Sequence, residues 1–367
     1  MTVGKRKLRL ALLYGGRSAE HAVSVVSARS VMEALDPERF EVVPIGITRE
    51  GAWMLPNTSP LELTGPEGGL PEVEAAGSEI ALRPEQRASA LARADGGPDP
   101  LGEIDVVLPI LHGPYGEDGT VQGLFELADL PYVGAGVLAS ALAMDKSMAK
   151  VVLAQAGLAQ ASYQVVRERE WRADPAAVSA RVAGSLAYPV FTKPARLGSS
   201  VGITKVKSAQ ELAGGLEAAF AHDGKALVEQ GVVARELEVG VIGNQEPRAS
   251  VVGEVVPGHE FYDFEAKYLD ESSKLVIPAA VPSAVAERTR ELAVRAFRAL
   301  DCEGFARVDF FYLDATGEVL VNEVNTIPGF TPKSMFPMLW DASGLPYPEL
   351  IARLVDLALE RHQAKKG

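Results

Sequence analysis

Leu8-Arg9-Leu10-Ala11-Leu12-Leu13-Tyr14, turned by Gly15-Gly16, is the stretch that decides the first half of the fold. A near-continuous apolar run is what a strand covered on both faces requires, because neither side can carry a polar alternation. From about Ser18 to Leu35 the pattern predicts a helix, stopped by Asp36-Pro37. Phe40 to Thr48 and Ile104 to Ile110 repeat the strand signal, and Pro131-Tyr132-Val133 gives a shorter one. A helix is predicted from about Leu138 to Ala156. Strands alternating with helices predict a small doubly wound α/β domain ending near Ala141. Residues 56–100 are rich in Gly, Pro, Glu and Ala, and predict a surface insertion with one short helix or strand pair.

Beyond that boundary the pattern changes. Tyr188 to Pro194 and Val201 to Val206 predict two strands joined by Ala195-Arg196-Leu197-Gly198-Ser199-Ser200. A helix over Ala209 to His222 and a strand over Ala226 to Gln230 follow. Strands then dominate, at Leu237 to Ile242, Ala249 to Val256, Phe305 to Leu313 and Val319 to Asn325. One helix, Ala284 to Leu300, lies among them, and Tyr347 to His362 closes the chain. This half predicts α+β.

The bulk numbers bound the function. A chain of 367 residues exceeds one ordinary core, so two or three domains are expected. A net charge of -13 opposes a nucleic-acid partner, whose phosphates call for a basic surface. No apolar run approaches the roughly 20 residues that span a bilayer. The N-terminus leads straight into a strand, without a signal-peptide pattern. The single cysteine, Cys302, predicts a core thiol. Together these predict a cytoplasmic protein.

The chemistry concentrates in the last strand pair. Asp309, Glu323 and Asn325 lie on two strands joined by a turn at Asp314-Ala-Thr-Gly317. Antiparallel pairing would bring Asp309 opposite the region of Glu323, with Glu323 and Asn325 on one face. Two carboxylates and an amide oxygen form an oxygen-only set that suits magnesium on nucleotide phosphates. A solvated strand face is the plainer alternative. Against it, Val308, Phe310, Val321 and Val324 mark the opposite face as core. The loop Arg196-Leu-Gly-Ser-Ser-Val-Gly202 has the small residues that let backbone amides approach an anion. It lacks the ending of a Walker A motif, and a plain hairpin fits it equally. Lys193 before the loop adds a charge for phosphate. Lys146, on its own, reads as a solvated lysine.

These residues carry a resemblance. Gly15-Gly-Arg-Ser-Ala-Glu20, Leu111-His-Gly-Pro-Tyr-Gly-Glu-Asp-Gly-Thr120 and Lys193-Pro-Ala-Arg-Leu-Gly-Ser-Ser-Val-Gly202 resemble the D-alanine:D-alanine ligase family. So do Phe261-Tyr-Asp-Phe-Glu-Ala-Lys-Tyr268, Arg307-Val-Asp309 and Asn322-Glu-Val-Asn-Thr-Ile-Pro-Gly329. The motifs keep the family's order from about residue 7 to 360. The resemblance implies an ATP-grasp fold with an N-terminal doubly wound, Rossmann-like domain. Its parts would span residues 1–141, 142–232 and 233–367.

The resemblance also implies roles. Glu20 would receive the ammonium of the first of two D-alanines, with His112 beside it; as residues alone, a helix-start carboxylate and a structural histidine remain open. Lys146, Lys193, Ser200 and Lys267 would contact ATP phosphates. Glu229 to Val232 would hold adenine through the backbone, with Phe311 and Asn322 also at the nucleotide and Glu236 on the ribose. Relatives often carry lysine where this chain has Gln230, which puts a side-chain contact there in doubt. Asp309, Glu323 and Asn325 would ligate two Mg2+ (or Mn2+), with K+ a candidate activator. A D-alanyl phosphate would form, and the second D-alanine's amine would attack it. Arg307 and the amide of Gly329 would hold the oxyanion, and Ser334 with the amide of Met335 the second carboxylate. The segment from Gly258 to Lys274 would close as a lid, Tyr268 reaching Ser199 and Glu20. A homodimer through the N-terminal domain and a place in peptidoglycan precursor synthesis are implied as well. Another ATP-grasp ligase or carboxylase, a nucleotide-binding regulator and a scaffold are the rival readings.

Overall fold

The computed structural model describes residues 6–57, 59–63, 70–85, 90–96, 101–256 and 274–366. Three sheets organise them. The first contains β1 (Leu8–Gly15), β2 (Phe40–Ile47), β3 (Trp53–Leu55), β4 (Ser78–Leu82), β5 (Leu91–Arg93) and β6 (Val106–Pro109), in the order β5-β4-β3-β2-β1-β6. β1 runs parallel to β2 and to β6, and Tyr132 adds a parallel bridge to Val107. The apolar run of β1 serves two cores. Leu10, Leu12 and Tyr14 enter one core and Ala11 and Leu13 the other. The first core is closed by α1 (His21–Ala34), the second by α2 (Thr120–Leu127), a helix not predicted from the sequence. The doubly wound expectation therefore holds for the parallel strands.

The insertion holds the expected strand pair, β4 with β5, after a 3-10 turn at Pro60–Glu62. β3, β4 and β5 extend the sheet as an antiparallel meander from β2. Trp53, Leu55 and Leu82 pack on the second core, so these short strands bury apolar surface that the turn-rich composition concealed. His21 fastens the far side of this region. Its Nδ1 lies 2.7 Å from the Gly16 carbonyl, and its Nε2 lies 3.0 Å from the Val73 N–H.

The second sheet is antiparallel, in the order β7 (Tyr163–Arg167), β10 (Lys225–Gln230), β8 (Val190–Pro194), β9 (Thr204–Val206). α5 (Glu168–Ala173), α6 (Pro175–Ser185) and α7 (Leu212–Phe220) accompany it. The third, also antiparallel, has the order β13 (Lys274–Val276), β12 (Arg248–Val256), β11 (Arg235–Gly243), β14 (Gly304–Leu313), β15 (Glu318–Asn325). α8 (Ser283–Ala299) covers one face and α9 (Met335–Asp341) the other. α10 (Tyr347–Ala364) returns to the first sheet, where Leu350, Leu354 and Val355 join the core of Leu10 and Leu12. Cys302 is buried, as expected.

The helix predicted from Leu138 to Ala156 is two helices, α3 (Val137–Met144) and α4 (Lys146–Gln155). Asp145 breaks it. Its backbone is extended, and its carboxylate accepts the Met148 N–H at 3.2 Å, capping α4. The same carboxylate is paired with Lys225 of the second sheet. That bend puts Lys146 at a helix start beside the cleft instead of on a solvated face.

Candidate active site

Asp309 and Glu323 pair directly across β14 and β15, as the hairpin pattern predicted. The register shifts by one residue beyond them, so that Phe310 faces Val321 and Asn322 is the extra residue. Strict alternation would have placed Val321 with Glu323. The bulge instead lets Val321 and Val324 enter the core while Asn322, Glu323 and Asn325 stay outside it. Asn325 Nδ2 donates to Asp309 Oδ2 at 2.9 Å. Arg307 grips Asp309 with two bonds, Nε to Oδ1 and Nη2 to Oδ2, each 2.7 Å, and lies 3.0 Å from Glu238. Burial works against the Arg307 charge, but Asp309 and Glu238 outweigh it and hold its pKa well above the usual guanidinium range.

Across the cleft, Lys146 Nζ donates to the Leu197 carbonyl at 2.9 Å and lies 3.1 Å from Glu323 Oε2. One side chain thus joins the small-residue loop to the carboxylate hairpin. The loop is no plain hairpin turn: Ser199 and Ser200 both adopt left-handed backbone, at φ 51° and 59°. Ser199 Oγ donates to Glu20 Oε1. Glu20 is the residue at the start of α1, as the helix-start reading expected, but its side chain makes no capping hydrogen bond to the helix and turns to Ser199 instead. It is 8% exposed, and a Cβ on Gly113 would lie 2.9 Å from its Oε2.

His112 is buried beside it, with Nδ1 3.0 Å from the Ile327 carbonyl. A carbonyl only accepts, so Nδ1 carries the proton. Burial pushes the His112 pKa down, and its Nε2 has no hydrogen-bond partner among the described residues. Glu117, within the Leu111–Thr120 motif, is a site residue that the sequence does not single out. Its carboxylate accepts the Gly113 N–H at 2.7 Å and the Ile327 N–H at 3.3 Å, tying the first sheet's loop to the third sheet's exit. Burial, then the charge of Glu20, pushes its pKa up to about 8.

Further along the same loop, Ser334 precedes α9, so the Met335 amide lies at a helix start. Gly329 lies against Ser334, whose Oγ accepts the Thr331 N–H at 3.1 Å.

On the second sheet, Lys193 is paired with Glu229 through the Glu229 side chain, a contact the sequence reading did not anticipate. Lys150, also unforeseen, lies 2.5 Å from the other Glu229 oxygen. Gln230 is turned away: its amide accepts the Ala187 N–H at 2.7 Å and donates to the Ala187 carbonyl at 2.6 Å. The Gln230 and Gly231 N–H groups are engaged by the carbonyls of Ser162 and Pro189, leaving Val232 as the next amide along. Glu236 and Phe311 pair across β11 and β14. Lys267 and Tyr268 lie outside the described residues, as does the expected lid from Gly258 through residue 273.

Lysines over one antiparallel sheet and carboxylates over a second define an ATP-grasp enzyme. Residues 9–135 match the model of the D-ala D-ala ligase N-terminus, and 152–356 that of the D-ala D-ala ligase C-terminus. The chain belongs to the D-alanine–D-alanine ligase family. It is 51% identical to D-alanine–D-alanine ligase of Geobacillus kaustophilus over 98% of this chain and 97% of that protein. Among solved structures, the D-alanine-D-alanine ligase of Coxiella burnetii matches with a TM-score of 0.84 and 32% identity, covering 99% of this chain and 97% of that one. A D-Ala:D-Ser ligase of Enterococcus faecalis matches with a TM-score of 0.84 and 35% identity, covering 96% of this chain and 100% of that one.

Proposed function

We propose that the chain joins two D-alanines into D-alanyl-D-alanine with ATP, through a D-alanyl phosphate, for peptidoglycan precursor synthesis. The observation that carries this reading is Glu20: a nearly buried carboxylate, bonded by Ser199 of the small-residue loop that Lys146 joins to the carboxylate hairpin. A buried anion so placed is an anchor for an ammonium group next to a phosphate site.

In this reading Glu20 binds the first D-alanine's ammonium, and the His112 Nε2 lone pair accepts from the same group. The substrate carboxylate then attacks the γ-phosphorus, the β–γ P–O bond breaks and ADP leaves, while Lys146, Lys193 and the amide of Ser200 offset the phosphoryl charge. Asp309, Glu323 and Asn325 fit magnesium or manganese, being hard oxygen donors gathered on one face. When bound, such ions neutralise phosphate charge. The second D-alanine's carboxylate rests on Ser334 and the Met335 N–H. Its amine, after losing a proton, attacks the acyl carbon; the Gly329 N–H and Arg307 Nη1 hold the oxyanion until the acyl C–O bond breaks and inorganic phosphate leaves. Adenine lies along the backbone at 229–232 beside Phe311 and Asn322, with Glu236 at the ribose.

The division at 141/142 and 232/233, a cytoplasmic location, activation by K+ and a homodimer through the N-terminal domain belong to the same proposal. Among the described residues no helix is long and apolar enough to cross a membrane. Phosphate release with ATP, magnesium and D-alanine, with L-alanine as control and products identified by mass, tests the reaction. Because one solved relative is a D-Ala:D-Ser ligase, D-serine enters the same assay in competition; a mixed dipeptide as main product would replace the second substrate in this reading.

A further inference from the structure

Glu229 is 2% exposed, yet it is an acid with a lysine on each oxygen. The two lysines are not equivalent. The side chain of Lys193 is 12% exposed and stands on β8 at the cleft, whereas that of Lys150 is 4% exposed and stands on α4 behind it. Lys150 is also anchored. Gln160 Nε2 donates to its backbone carbonyl at 2.9 Å, and its ammonium lies 5.2 Å from the centre of the Tyr163 ring.

A buried carboxylate stripped of its cation is costly, because little water remains to solvate it. If Lys193 turns to a nucleotide phosphate, it must leave or share Glu229. Were Lys193 the sole counter-ion, Glu229 and the phosphate would compete for it, and the buried acid would hold on. We propose that Lys150 is a positioning residue: by keeping Glu229 neutralised from behind, it frees Lys193 for the phosphates of ATP. This rests on the assignment of Lys193 to phosphate made above.

The inference predicts coupling between positions 150 and 229. Binding of a nonhydrolysable ATP analogue with magnesium would be measured by calorimetry on the full chain, together with KM for ATP and for D-alanine. Lys150→Met is expected to weaken nucleotide binding at least tenfold and raise the KM for ATP, with the KM for D-alanine within twofold. Lys150→Arg should retain most of the affinity. In a Glu229→Gln background, Lys193 has no buried anion to hold it, and adding Lys150→Met should change affinity less than threefold. That second comparison stands even if Lys150→Met alone fails to fold, since the double variant carries neither buried charge.

Equal losses from Lys150→Met in both backgrounds would overturn the inference, because Lys150 would then act on nucleotide directly. So would a drop in melting temperature with unchanged nucleotide affinity, which is what a purely structural ion pair gives. Lys193→Met separates the two levels. If it leaves nucleotide affinity intact, the phosphate assignment of Lys193 fails and this inference with it. If it weakens binding while Lys150→Met does not, this inference alone fails.

Discussion

The two antiparallel sheets that Lys146 links carry lysines on one side and carboxylates on the other, and were assembled in opposite ways. The acidic side is one hairpin, β14 and β15, whose residues are neighbours through a single turn. The basic side draws Lys146 and Lys150 from α4, Lys193 from β8 and Glu229 from β10. A local site depends on one strand pairing and should tolerate isosteric changes structurally while losing chemistry. A dispersed site holds elements together as well as ligands, so its changes should mix stability with function.

The largest effect expected tests the acidic side. Glu323→Gln should lower turnover by roughly 10²–10³, the scale of removing one preorganised electrostatic group. Its melting temperature should hardly move, because the side chain is 25% exposed and emptying no core volume. Asp309→Asn should lose as much activity and some stability too, since it also weakens the two-bond grip of Arg307. Phosphate release at saturating magnesium and thermal unfolding on the same samples check both. Near-normal turnover in Glu323→Gln would remove the metal assignment.

The same contrast explains what could be read before the structure. Asp309, Glu323 and Asn325 were legible because a hairpin converts spacing into facing. Asn322 as a bulge was not, because alternation has no mark for one extra residue, although Val321 beside Glu323 held a parity conflict that pointed to it. Lys146 looked solvated because the helical pattern runs unbroken through Asp145, and what breaks it is a cap plus a pairing with distant Lys225. Lys150 gave no signal, and Glu229 came only as a backbone position from the resemblance, since each side chain is ordinary until tertiary packing buries both. The strand pair β4–β5 was expected within residues 56–100, but its attachment through β3 to the first sheet was not, because that depends on a core contributed from elsewhere. Glu20 and His112 came from the resemblance. The residues alone could not choose between a cap and an anchor.

An intermediate effect tests the link between the first sheet and the loop of Ser199. Glu20→Gln keeps an acceptor for Ser199 but loses the charge proposed to meet an ammonium. A hydrogen bond to a charged group contributes about 1.5–3 kcal/mol, so the KM for the first D-alanine should rise roughly ten- to a hundredfold. Nucleotide affinity should stay within twofold, in contrast to the Lys150 and Lys193 variants. A loss confined to ATP binding would make Glu20 part of the basic side instead.

The smallest effect lies at His21, which belongs to neither side but, like the dispersed one, ties together segments distant in sequence. His21 is fully buried, and its two nitrogens have opposite roles: Nδ1–H donates to the Gly16 carbonyl, and Nε2 accepts from the Val73 N–H. Protonating Nε2 would set N–H against N–H, and burial pushes the pKa below the ordinary 6.5. The group that faces it with charge is mixed, Arg49 lowering the pKa and Glu72 and Glu50 raising it. A histidine whose folded pKa is depressed binds fewer protons folded than unfolded. Its contribution is therefore fully present above about pH 6.5 and lost as pH falls through the folded value. His21→Gln can keep one of the two bonds, so at pH 7.5 it should cost about 1 kcal/mol, the worth of one neutral hydrogen bond. Between pH 6.5 and 5 the variant should lose stability less steeply than the native chain, and the two should converge. Denaturant unfolding at pH 5, 6 and 7.5 measures this. Parallel pH dependence in both would mean that the Gly16–His21–Val73 link is not what acid weakens, and that the turn carrying Glu20 is held by Ser24, whose hydroxyl accepts the Gly15 N–H at 2.8 Å.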